Sequence, residues 1–63
     1  MTQKELLYVE DAVGHETSII DILNKSLEFL DDDKLITFIE EEIDKHSDIK
    51  QGLLNLLEDE SNE

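Results

Sequence analysis

The acidic run "DDDK", residues 31 to 34, falls near the middle of a 63-residue chain that has no proline and only two glycines, Gly14 and Gly52. Without Pro and Gly punctuation there is no signal for strands or tight hairpin turns, and the chain reads as helix. The run separates two stretches in which apolar residues recur three and four apart. In the first, Leu6, Val9, Val13, Ile20, Leu23, Leu27 and Leu30 line one helix face. In the second, Leu35, Ile39, Ile49, Leu53 and Leu56 do the same, with Ile36, Ile43 and Leu57 widening the stripe.

Local signals set the expected boundaries. Thr2 followed by Glu5 has the spacing of a capping box, in which hydroxyl and carboxylate each satisfy a free backbone N–H of the first turn. Helix 1 is therefore expected over about residues 3–30. Asp31 or Asp32 can cap a second helix, and the neighbouring acids suit the positive end of its dipole. The turn is expected at 31–32 and helix 2 over about 33–57. The tail "EDESNE", residues 58–63, has no apolar anchor, and its acids oppose the dipole at a helix C-terminus, which predicts fraying.

Two helices of similar length joined by a very short connection fold back antiparallel, so the expected fold is an all-α antiparallel two-helix hairpin forming a single domain. A chain this short buries only about 60% of the surface its unfolded form exposes, and with no cysteine it cannot draw on disulfides. A lone hairpin shares one seam, yet both stripes are wider than one seam requires, with Leu7, Ala12 and Ile19 flanking helix 1. Pairing two hairpins into a homodimeric four-helix bundle would bury these flanks at about 25 cal/mol per Å² of apolar surface. The residues expected at the dimer core are Leu6, Val13, Ile20 and Leu27 from helix 1, and Ile39, Ile43, Ile49 and Leu53 from helix 2.

Charge narrows the partners. Eighteen Asp and Glu against five Lys and no Arg give a formal charge of −13. Nucleic acid and anionic membrane both require a basic face, so neither is expected as a partner. An acid-rich surface solvates the chain, attracts a basic protein partner or collects cations. No apolar run approaches the roughly 20 residues of a membrane span, and "MTQKELLYVED" has neither the basic start nor the apolar stretch of a signal peptide. The expectation is a soluble, cytoplasmic chain.

Three polar residues interrupt the stripes. Continuing helix 1 through its gap lands on Glu16, and continuing helix 2 lands on Glu42 and His46. Counting outward from a turn near Asp32 sets Glu16 at nearly the level of His46, with Glu42 one turn away on the same face. A two-fold dimer would gather four carboxylates and two imidazoles, the inventory of carboxylate-bridged di-metal bundles, and such oxygen and imidazole donors suit iron, manganese or zinc. Those bundles space carboxylate and histidine as Glu-x-x-His, whereas here Ile43 occupies that place and Glu42 is four residues from His46. Two readings stand: a divalent metal site at Glu16, Glu42 and His46, or a hydrated bundle centre in which His46 hydrogen-bonds Glu16 or Glu42. His15 points about 100° away from Glu16 and is expected to pair with Asp11 at i−4. Gly14 and Gly52 mark either a close helix approach or weak points in their helices. No nucleophile elbow, phosphate loop or cysteine nucleophile is present, so no catalytic residues and no enzymatic activity are expected.

The segments "KELLYVEDAVGHETSII", "LDDDKL" and "KHSDIKQGLLNLL" resemble those of spore coat protein F-like small helical proteins of the ferritin-like superfamily, over most of residues 4 to 57. The resemblance implies a ferritin-like hairpin or bundle, with Glu16 and His46 at positions where relatives carry polar, metal-capable residues. It also implies a coat-associated structural role. Two functions follow as expectations: a small acidic structural or protein-interaction module that self-associates as a helical bundle, or a ferritin-like metal-binding dimer. Charge alone would also allow an acidic mimic that occupies a DNA-binding protein.

Overall fold

A computed structural model describes residues 1–61. Helix α1 spans Gln3–Leu27 and α2 spans Asp33–Ser61, and the two pack side by side as an antiparallel hairpin, the expected all-α fold. The molecule is a rod of 47 × 14 × 12 Å.

The N-terminal signals act as the sequence predicts. Thr2 is extended and caps α1: its hydroxyl accepts from the Glu5 amide at 3.1 Å, and its own amide donates to Glu5 Oε1 at 2.7 Å. For α2 the cap is Asp32, whose Oδ1 accepts from the Leu35 amide at 2.9 Å. Its carbonyl accepts the first helical bond, from Ile36.

Two boundaries differ from the sequence reading. Helix α1 stops at Leu27, not Leu30, and the connection covers residues 28–32, not 31–32. The last turn of α1 carries Asn24 and Ser26, whose side chains donate to the carbonyls of Ile20 and Ile22. Asn and Ser are among the weaker helix formers, and both sit in this last turn. The chain tightens beyond it, Glu28 and Phe29 donating to carbonyls three residues back. At the other end α2 is placed through Ser61, past the expected helix end at about 57, and residues 62–63 of the tail expected to fray lie outside the described residues. Leu57 is half-buried there, and the Met1 ammonium meets Glu60 Oε1 at 2.6 Å, which offsets the unfavourable acid at the helix end.

The seam between the helices follows strict three-and-four steps. On α1 it runs through Val9, Val13, Glu16, Ile20, Leu23 and Leu27, and on α2 through Ile36, Ile39, Ile43, His46, Lys50, Leu53 and Leu57, all half-buried. The α2 stripe is thus rotated from the one read in the sequence. Ile36, Ile43 and Leu57, expected on the flank, face the seam, whereas Leu35, Ile49 and Leu56 are 42–48% exposed. Four residues after His46 comes Lys50, and its aliphatic stem occupies the seam place that an apolar count assigns to Ile49.

Both glycines are helical, and a Cβ added at either meets nothing within 4 Å. They are weak points and not close approaches within the hairpin, so Gly14→Ala is expected to stabilise the fold by about 1 kcal/mol, read as a raised melting temperature. The capping box supplies a second expectation. Hydrogen bonds from the Thr2 amide, then from its hydroxyl, hold the Glu5 carboxyl below its ordinary value of 4.5. A depressed folded value means the cap is intact at neutral pH and is lost as pH falls below 4.5 through that folded value. In an NMR titration the Thr2 amide should move with a midpoint under 4.5, and Glu5→Gln should abolish the movement.

Candidate functional site

Two features stand out on this rod: the polar residues in its seam and an apolar broad side. In the seam, α1 presents Glu16 and α2 presents His46 at the same level, and the His46 Nδ1–H donates to Glu16 Oε2 at 2.5 Å. The other ring nitrogen, Nε2, faces Glu42 Oε2 at 4.0 Å, one turn earlier on α2. Glu42 also accepts from Lys45 Nζ at 3.3 Å. The side chains of Glu16 and His46 are 16% and 24% exposed, so the pair is screened but not dry.

Glu16, Glu42 and His46, which the sequence reading set near one another, are neighbours in the hairpin. Their arrangement constrains what they can do. The ring nitrogens of His46 face different carboxylates, so the three side chains do not converge on one point. Among the described residues no group of three or more His, Cys, Asp or Glu is placed to hold a metal ion. Glu42 and Nε2 remain as a pair of donors, but a tetrahedral ion binding both at about 2.1 Å would want them about 3.4 Å apart. The geometry is that of a hydrogen-bonded polar centre, with Glu16 orienting the imidazole. His15 forms no pair with Asp11; it stands exposed on the broad side described next.

That broad side consists of the positions one residue before each seam position. Because the helices run antiparallel, these two rows fall on the same side of the hairpin. On α1 the row holds Tyr8, Ala12, His15, Ile19, Ile22 and Ser26. On α2 it holds Leu35, Phe38, Glu42, Lys45, Ile49, Gly52 and Leu56. Tyr8, Ile22, Leu35, Phe38, Ile49 and Leu56 are all exposed large apolar side chains, and Phe29, in the connection, is 83% exposed. Leu7 and Leu54 lie off this side. The opposite broad side carries Glu10, Asp21, Glu40, Asp44 and Glu58.

Of the residues expected at a dimer core, Leu6, Val13, Ile20, Leu27, Ile39, Ile43 and Leu53 are half-buried within one hairpin, and Ile49 stands on the apolar side. The strongest apolar periodicity in the sequence follows the seam and does not include Tyr8, Ile22 and Phe38. The signal was present as a second three-and-four repeat displaced by one residue.

No protein-family model matches the chain, and no curated protein or solved structure matches it. The resemblance to spore coat protein F-like domains stands on the quoted segments alone. Among the described residues no helix is long and apolar enough to cross a membrane.

The polar centre yields a paired prediction. His46→Ala leaves the Glu16 carboxylate without its partner and should cost roughly 1–2 kcal/mol in chemical denaturation, the lower part of the range for an unsatisfied group because the site is partly wet. Replacing both, Glu16→Leu with His46→Leu, removes the unpaired charge and should restore or exceed the original stability.

Proposed function

We propose that the chain is a small acidic protein-interaction module, non-enzymatic, that works as a self-associated helical bundle. One observation carries the reading: among the described residues no side chain, apolar or polar, is fully buried. A two-helix rod exposes 4905 Å², against about 4,200 Å² for a compact monomer of this mass. Its apolar side exposes Tyr8, Ile22, Leu35, Phe38, Ile49 and Leu56 along the rod, interrupted at mid-length by His15, Glu42 and Lys45, and clustered exposed apolar side chains of this kind mark association surfaces. A structural role in a spore coat would suit such a module and comes from the sequence resemblance. The metal-binding alternative has less in its favour, since Glu16 and Glu42 take opposite nitrogens of His46.

Self-association couples stability to concentration. Over a roughly hundredfold dilution the melting temperature should fall by about 10 °C, because a dimer of 63-residue chains loses mass-action stabilisation. Light scattering should give a mass above that of one chain at the concentrated end. A one-chain mass throughout, with an invariant melt, would overturn the proposal.

A further inference from the structure

We propose that the partner is a second copy of this chain, docked apolar side to apolar side and end for end, about a two-fold axis lying in the interface across the helices between Glu42 and Lys45. The inference rests on the self-association proposed above and specifies its geometry.

Charge selects the occupant. The chain carries −13, yet between Tyr8 and Leu56 the apolar side's two rows hold, besides the imidazole of His15, one acid, Glu42, and one base, Lys45, one turn apart. A basic partner would be drawn to the acidic opposite side. A second copy meets a surface as neutral as its own, and the remaining acids of both copies stay at the outer faces, in water. Size agrees: a side 47 Å long and 14 Å wide offers roughly 600 Å² per copy, so a pair buries about 1,200 Å², the lower bound of stable interfaces.

Orientation follows from the charged pair at the centre of α2. Stacking the copies end for end sets α2 against α2, and an axis between Glu42 and Lys45 places Glu42 over Lys45 of the partner subunit, twice by symmetry. The same axis sets Phe38 over Ile49 of the partner subunit. It also sets Leu35 over Gly52 of the partner subunit, and Gly52 has open space where a side chain would be. Stacking with like ends together would instead set α2 against α1. Glu42 would then meet Ile19 and Ile22 at its own level, leaving a carboxylate covered by apolar groups without a partner, which is costly. Glu42 already pairs with Lys45 along the helix at 3.3 Å, so the dimer extends an existing contact into a four-membered alternation of charge.

A charge-exchange experiment tests this. Glu42→Lys gives a chain with two lysines at the axis, and Lys45→Glu gives one with two acids. Each alone should dimerise at least about tenfold more weakly than the parent, and an equimolar mixture should form a heterodimer that recovers parental affinity and helicity. Recovery on mixing remains readable even if either variant alone is unfolded. The chain has no cysteine, so Leu35→Cys with Gly52→Cys adds a clean orientation probe: oxidation should link two chains in the end-for-end dimer. A parent of dimeric mass with no cross-link, or charge variants that dimerise as the parent does, would overturn this geometry while leaving self-association standing. A parent that stays at one-chain mass would overturn both.

Discussion

Two helices can share only one seam, and every other property of this rod follows from that limit. A seam residue has the opposite helix on one side and water or its own helix on the rest, so Val13, Ile20 and Ile39 reach partial burial and go no further. The closely packed interior that ordinarily stabilises a fold needs at least a third element or a second copy. The hairpin compensates locally at its ends: a reciprocal cap at Thr2 and Glu5, an aspartate cap at Asp32, and the Met1 ammonium against Glu60. Each of these acts on a helix terminus. None supplies the missing interior.

The distribution of charge is as informative as its total. A formal charge of −13 on 63 residues would ordinarily oppose self-association, since like-charged chains repel. Here the acids concentrate on the outward positions of both helices, the turn and the two ends, while one broad side is left with Glu42 and Lys45. Screening at physiological ionic strength acts over about 8 Å, shorter than the thickness of two stacked hairpins. Acids on the far sides of two copies therefore hardly oppose their contact, and they keep the outer surface solvated.

Much of this was legible in the sequence. The absence of proline, the capping pair and the "DDDK" break gave two antiparallel helices, and tracing the stripes through their gaps brought Glu16, Glu42 and His46 together. The rotation of α2 was not legible. Counting apolar residues favours Ile49, while strict helical stepping favours Lys50, and composition cannot show that a lysine stem will lie in a seam. The early end of α1 was hidden for a similar reason: Leu30 keeps the apolar rhythm, while the weaker helix formers Asn24 and Ser26 occupy the last turn before it. The role of His46 was also undetermined from spacing, because i,i+4 placement leaves open which nitrogen meets which carboxylate.

The hydrogen bond from His46 to Glu16 has a consequence for how the helices find their alignment. Leucine-like seams are permissive, because sliding one helix past the other by a heptad replaces apolar neighbours with apolar neighbours. Here such a slide would set Glu16 opposite Ile39 or Leu53 and leave the Glu16 carboxylate and the Nδ1–H of His46 among aliphatic groups without each other. A single polar pair at an otherwise apolar seam thus fixes the register of the hairpin, as one buried asparagine does in a coiled coil. Because the rows of the apolar side are carried on the same two helices, fixing that register also fixes the pattern that side presents to whatever docks there.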